Sequence, residues 1–520
     1  MDDHIHTWTT ITLLFAASLL FVTRIRRKSS NLPPTIFPTI PIIGHLHLLK
    51  KPLHRTLSAL SAKHGPILLL RFGSRNVLLV SSPSISKQCF TENDVVFADR
   101  PRLLAGKILG SNYTSFGFAP YGNHWRNLRR ISTIEIFSSN RINEFRDTRA
   151  DEGRLLVRKL ITESSDHVNL SLVFNEMMLN VMMMMLFGKR FFGGGVDFEE
   201  GKKFKELVNE TFLVGGATNL GDHLPILRWF GVKGFENKLI ELQKKRDEFI
   251  RGLIRQIRIS KGDEMKNNES VKEKMMMMMM KNTVIDVLLK HQETNPEFYT
   301  DDVIKSFVLN LLTAATDTST TTMEWAFSLL LNHPHILKKA QTEIDNQVGK
   351  SRLIDESDTI NNLPYLDCIV KETLRMYPPG PLLLPHESSK DCIVGGYHIP
   401  RGTMLLVNQW AIQHNPDLWS DPERFYPERF EVEGVRDGFR LMPFGSGRRG
   451  CPGEGLALRV IGLILGLLIQ CFDWERIGEE MVDMSEGPGL TLPKAQPLLA
   501  KCKPRPMTRS LVYDESGFSS

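Results

Sequence analysis

Between Thr300 and Pro334 the chain is bound to form one long helix. Thr300 is a capping residue, Asp301 and Asp302 suit the first turn, and the helical pattern runs on to "NHP" at Asn332 to Pro334. With about 32 residues at 1.5 Å each, such a helix is roughly 48 Å long, enough to cross a whole domain. A helix of that length in a globular body forms its central beam. Most of the remaining chain has helical period. Strand-like alternation is concentrated in "PILLLRFGSRNVLLVSS", which predicts a hairpin around Gly73 and Ser74. The expected fold class is mainly α with a smaller β portion.

Composition excludes several classes of function. The 520 residues are 42% hydrophobic and 24% charged, which is globular, and a net charge of +6 falls far short of a nucleic-acid-binding balance. No nucleic-acid partner is expected. The six cysteines at 89, 368, 392, 451, 471 and 502 show no CxxC spacing and read as reduced thiols in a cytosolic environment. HExxH, GxSxG and GxxxxGK[ST] are all absent, so zinc peptidase, serine hydrolase and P-loop chemistries lack their groups.

From Ile5 to Thr23 the chain carries no charged residue apart from one histidine, and "RIRRK" follows at once. As a helix this run spans about 28 Å, close to the hydrocarbon thickness. Acids precede the run and bases follow it, the reverse of a secretory signal, so everything after Thr23 is expected on the cytosolic side. Prolines 33, 34, 38 and 41 then predict a stiff connector. The expected organisation is a lumenal N-terminus and membrane anchor over 1–23, a basic and proline-rich hinge over 24–44, one large domain over 45–505, and a C-terminal tail over 506–520. Two methionine runs, 182–185 and 275–280, stand out. The first fits an apolar helix face, the second falls where a solvated loop is expected, and neither has a functional reading.

The stretch "FGSGRRGCPGEGLA", Phe444 to Ala457, surrounds Cys451 with glycines and arginines, and an apolar helix follows. Pro452 and Glu454 suit that helix's first turn. A helix N-terminus beside Arg448 and Arg449 favours thiolate over thiol at Cys451. The glycines give clearance for a flat, bulky metal cofactor. A single thiolate without a partner cysteine suits an axial ligand of haem, because the porphyrin supplies the other four donors. Phe444, Gly447, Arg449, Cys451 and Gly453 match F-x-x-G-x-R-x-C-x-G, and here the chain resembles the cytochrome P-450 family of haem-thiolate monooxygenases.

The resemblance implies a set of roles. Cys451 is the iron ligand of haem b, with Phe444 in the cofactor-binding loop. In "HWRNLRR", Trp125 and Arg129 contact a haem propionate, and Arg449 and His386 do the same; an ordinary packed or surface histidine is the other reading of His386. Glu372 and Arg375 in "KETLR" join Arg429 in "FYPERF" as a buried structural triad. Within the long helix, "TAATDTST" aligns with [AG]-G-x-[DE]-T-[TS], making Asp317 and Thr318 the catalytic acid and alcohol that organise proton delivery to dioxygen. Ala315 departs from the family's usual glycine and is expected to let the helix loosen less readily.

Long matches such as "KETLRMYPPGPLLLPHESSKDCIVGGYHIPRGT" look like microsomal plant enzymes, nearest the group with isoflavone 2'- and 3'-hydroxylases, lignan methylenedioxy-bridge synthases and indole-glucosinolate hydroxylases. That implies oxygen insertion into a small, apolar aromatic, phenylpropanoid or indolic metabolite. The implied substrate-contact segments lie near 100–120, 207–225, 307–318, 379–385 and 489–492. Electrons would come from NADPH through a membrane-bound reductase, since no flavin or nicotinamide fingerprint is present. Arg126 and Arg130 could receive its acidic surface, or form a solvated helix face. The implied location is the endoplasmic reticulum membrane, single-pass, in contact with lipid. Rival readings are a haem-thiolate enzyme that rearranges or dehydrates peroxides without reductase, and a non-catalytic membrane-anchored binding protein.

Overall fold

Strands β1 (Ile67–Phe72) and β2 (Arg75–Val80) are antiparallel, with Ile67 opposite Val80 and the two-residue turn at Gly73 and Ser74. Gly73 has φ of +59°, and a Cβ there would stand 2.0 Å from the His223 carbonyl oxygen, so the turn admits only glycine. The computed structural model that shows this describes residues 31–162, 167–193, 198–215, 219–225, 227, 234–264, 283–431 and 438–513. The anchor expected at 1–23, the basic part of the hinge, the methionine run 275–280 and the chain beyond 513 lie outside the described residues.

β2 pairs in parallel with β7 (Met404–Val407), which pairs antiparallel with β4 (His386–Glu387), giving the sheet order β1-β2-β7-β4. This sheet therefore delivers His386 from a part of the sequence remote from the hairpin. A hairpin of β5 (Cys392–Val394) and β6 (Tyr397–Ile399) and a small sheet β3-β9-β8 complete the strands among the described residues. In the latter, β3 is Val168–Asn169, β8 is Phe472–Arg476 and β9 is Leu499–Pro504.

The helices that position the site are α1 (Leu53–His64), α2 (Asn123–Ile131), α3 (Arg146–Thr162), α4 (Leu170–Phe187), α5 (Asp301–Asn332), α6 (Pro334–Gln347), α7 (Pro364–Met376) and α8 (Glu454–Cys471). α5 is the expected beam. Thr300 caps it, its hydroxyl accepting from the Val303 amide at 3.3 Å, and α4, α7 and α8 pack around it. The run Met182 to Met185 lies within α4, where Met182, Met183 and Met185 are buried. Four consecutive apolar residues point all around a helix, and α4 accommodates them because protein surrounds it, with α3 and α5 both in contact. Both α4 and α8 are long and apolar enough to cross a membrane, and most of each is buried inside the protein.

Two boundaries differ from expectation. The proline-rich segment from residue 31 is docked rather than free. Pro34 accepts from the Leu69 amide at 2.7 Å, Ile36 is buried, and Gly44 bridges to Phe72. Prolines leave carbonyls but no N–H to pair, which suits a sheet edge. At the other end the packed body continues past Arg505. Leu511 and Val512 are buried, Thr508 bonds the Cys471 carbonyl at 2.5 Å, and Arg505 pairs with Asp345 on α6 at 2.6 Å.

Candidate active site

The loop before α8 is shaped by its backbone. The Cys451 amide donates to the Phe444 carbonyl at 2.8 Å and the Gly450 amide to the Gly447 carbonyl at 3.0 Å. Gly447 has φ of +68°, and a Cβ on it would meet Asp94 Oδ1 at 2.4 Å. α8 begins at Glu454, three residues beyond the cysteine, so Cys451 precedes the helix instead of capping it. Protein surrounds the Cys451 side chain, which stays accessible on one side. Burial pushes the thiol above its ordinary value, and the Gly453 and Glu454 amides and Arg129 pull it back only in part.

The charged neighbours of the sulfur differ from those that spacing suggests. Arg448 and Arg449 turn away from the sulfur: Arg448 pairs with Asp94 at 3.0 Å, while Arg449 donates to the Ala98 and Ala119 carbonyls at 2.6 Å each. The nearby cation is Arg129 on α2, whose Nη1 donates to the Gly450 carbonyl at 2.6 Å.

Beside the loop, basic groups converge from four parts of the chain. Arg449 lies 4.2 Å over the Trp125 ring, which α2 presents together with Arg129. Arg100 donates to the carbonyls of Leu384 and Pro385 at 2.9 and 2.8 Å, and its buried Nε has no partner. Burial, with Arg449 close by, pushes the Arg100 guanidinium down to about 9. Arg449 is pushed down to about 10 by burial, with Asp99 opposing and Arg129 adding to the shift, and burial lowers Arg129 as well. Three desolvated cations with one carboxylate among them are stable together only if anions join them.

His386 belongs to the same cluster. Its ring Nδ1 is 2.7 Å from the Phe97 carbonyl, and burial together with Arg100 and Arg449 holds the ring well below its ordinary value. With Nδ1–H on Phe97, a neutral His386 has only an acceptor at Nε2. It can donate there once protonated, which a nearby anion favours. The cysteine on a clearance loop, the orphaned Arg100 Nε and the surplus of buried cations fit a group carrying a soft-liganded metal and two carboxylates. Haem is such a group.

α5 supplies the second half of the site. Its threonines bond their own helix: Thr313 Oγ1 donates to Leu309 O at 2.7 Å, Thr316 to Leu312 O at 2.8 Å and Thr318 to Ala314 O at 2.7 Å. These back-bonds let a polar cluster sit mid-helix. The helix is unbroken through Ala315. Ala314 is accessible in an otherwise buried stretch, so α5 has an open face at this point. Asp317 is largely buried; burial pushes its carboxyl up to about 6, against a hydrogen bond from Thr491. The loop after residue 100 is tied to the same helix by Asn310, which accepts from the Gly117 amide at 3.2 Å.

Glu372 and Arg375 on α7 are both fully buried and paired at 2.7 Å. Arg429 reaches Glu372 at 3.0 Å from the turn Pro427–Phe430. Arg375 also donates to the carbonyls of Gln413 and Pro422 at 2.7 and 2.8 Å. These three side chains therefore hold α7 to the chain that leads into the Cys451 loop. Arg100 and Thr491 had no role in the sequence reading beyond lying in long contact segments. No spacing marks them, since Arg100 meets backbone carbonyls nearly three hundred residues away.

A helical body with a long central helix, a cysteine loop and a buried cationic cluster defines a haem-dependent oxidoreductase of the thiolate type. The family profile described as Cytochrome P450 matches residues 34–500. The chain is 48% identical over 516 residues to Cytochrome P450 81Q32 of Catharanthus roseus, covering 98% of this chain and 99% of that one. It is 47% identical to an isoflavone 3'-hydroxylase of Medicago truncatula (94% and 95% covered). It is 45% identical to the (+)-piperitol/(+)-sesamin synthase CYP81Q2 of Sesamum radiatum (96% of both). A solved zebra fish cytochrome P450 with progesterone superposes with a TM-score of 0.72 at 26% identity, over 88% of this chain and all of that one. The chain belongs to the cytochrome P450 family and is a haem-thiolate monooxygenase.

Proposed function

We propose that the enzyme inserts one oxygen atom from O2 into an aromatic or phenylpropanoid-type secondary metabolite, an isoflavonoid, flavonoid, lignan or indolic compound. The second oxygen leaves as water, with two electrons from NADPH delivered by a membrane-bound reductase and two protons. The supporting observation is the joint presence of the Cys451 loop, the buried cations and the Asp317 and Thr318 pair next to accessible Ala314 on α5. Near-complete coverage of relatives named for isoflavone hydroxylation and sesamin formation supports the substrate class.

Cys451 would ligate the iron, and Trp125, Arg100, Arg129, Arg449 and His386 would hold the propionates. Bound haem supplies dioxygen activation and one-electron chemistry that no side chain provides. Arg449, fixed by two carbonyls and the Trp125 face, orients its remaining donors. Thr318 donates to Ala314, so its oxygen remains an acceptor for water. Asp317, with a carboxyl near half-protonated at about pH 6, can take a proton from solvent and give it up again. The enzyme would sit in the endoplasmic reticulum membrane by a single N-terminal span, with its body in the cytosol.

The test is turnover of full-length enzyme in membranes with plant reductase, NADPH and labelled dioxygen, over panels of isoflavones, lignans and indoles. Incorporation of one labelled atom into a member of a panel is expected. Conversion of a lipid hydroperoxide without NADPH, and no labelled product, would overturn the proposal.

A further inference from the structure

The segment from Ser485 to Leu498 is fastened to α5 along its length. Thr491 Oγ1 donates to Asp317 Oδ2 at 2.6 Å, Trp325 Nε1 donates to the Leu492 carbonyl at 2.7 Å, and the Leu498 amide donates to Glu324 Oε1 at 2.9 Å. The segment is itself a hairpin. Gly487 donates to the Pro493 carbonyl at 2.7 Å and Ala495 to the Ser485 carbonyl at 2.8 Å, with Glu486 bridged to Lys494. Its base is held by α1, where His54 and Arg55 reach Glu486 at 3.1 and 2.6 Å. Thr491 and Leu492 are buried while the preceding Leu490 is exposed, so the tip turns the Thr491 hydroxyl inward to the helix.

An aspartate in mid-helix can rotate its carboxylate, and a proton donor must keep one oxygen aimed at the recipient. The Thr491 hydroxyl is the hydrogen-bond partner of the Asp317 carboxyl. Among the described residues no charged group takes that place. Glu324, on the same helix, is itself raised by burial; the Leu498 amide and Lys494 lower it, and Asp317 repels it. Lys494 lies 4.7 Å over the Trp325 ring and donates to the Asp483 carbonyl.

We propose that Thr491 is a positioning residue for oxygen activation: its hydroxyl fixes Oδ2 of Asp317 and leaves Oδ1 aimed and free to transfer a proton. The hairpin that carries Thr491 thereby makes the acid's orientation depend on an element outside the helix. This rests on the role of Asp317 given above.

The test compares holoenzyme of wild type, Thr491→Val, Thr491→Ser and Asp317→Asn. Infrared pH titration follows the protonated-carboxyl stretch that Asp317→Asn removes. Loss of a donor that favours the ionised form should raise its midpoint in Thr491→Val by roughly one pH unit, and Thr491→Ser should stay near wild type. The second readout is the share of NADPH electrons released as hydrogen peroxide with reductase and no added substrate. It should rise severalfold in Thr491→Val and in Asp317→Asn, and not in Thr491→Ser. If Asp317→Asn raises peroxide while Thr491→Val matches wild type in both readouts, the positioning role is overturned and the acid stands. If Asp317→Asn leaves peroxide unchanged, the acid role fails and the inference with it. Should Thr491→Val not take up haem, Thr491→Ala carries the same comparison.

Discussion

Asp317 keeps a carboxyl where its charge is disfavoured, and that arrangement has a cost in stability. In the unfolded chain the group ionises near 3.8 and in the fold at about 6, so between those values the folded state holds an extra proton. Stability therefore falls as pH rises through that window and is level above it, by roughly 3 kcal/mol in all. Asp317→Asn should remove the dependence: its urea midpoint should gain on wild type between pH 4 and pH 6.5, while the rate of product formation drops on the order of 10²-fold. An unchanged difference across that range would show that folding does not raise the carboxyl. Cys451, Trp125, Arg129 and Arg449 could be picked out in the sequence because short spacings fix them. Arg100 and Thr491 could not, since their partners are a loop carbonyl and a carboxylate brought near only by the tertiary fold. Even at Cys451, spacing suggested neighbouring arginines as the charge partners, whereas Arg129 from α2 holds that place.

Among the elements, α7 and the turn after Tyr426 are joined by a buried charge cluster. Arg375→Ala would leave Glu372, fully buried, with Arg429 as its one remaining cation and should destabilise the domain by roughly 3–5 kcal/mol. Measured by expression, the variant should yield little haem-loaded protein. A yield equal to wild type would show that the cluster is dispensable. α5 offers the opposite case. Ala315→Gly should cost about 1 kcal/mol in helix stability and raise product yield per NADPH, because the helix could then open at the oxygen-binding position. Equal yields would show that Ala315 does not limit coupling. The long helix and the hairpin were legible because caps, period and a glycine turn are local signals. The methionine run of α4 fits a helix face by sequence, but its burial by α3 and α5 together was not legible, because periodicity does not say how many faces of an apolar helix are covered.

Over the whole molecule, the two faces of α2 divide the work. Trp125 is buried against Arg449, and Arg126 and Arg130 are exposed. A reductase with an acidic surface should bind there, so Arg126→Glu with Arg130→Glu should raise the reductase concentration for half-maximal turnover severalfold at low salt and much less at high salt. A salt-independent effect would place the contact elsewhere. The extent of the body was only partly readable, since its ends are set by packing: Ile36 and Val512 lie beyond the limits that composition suggests. What unites the molecule is the claim that Cys451 ligates haem inside a ring of buried cations. The difference spectrum of reduced, carbon-monoxide-bound membranes measures it, with Cys451→Ser beside wild type. A Soret band at the position of thiolate-ligated haem, lost in the variant at equal protein level, is the expected result. The same band in the variant, or none in haem-loaded wild type, would contradict it.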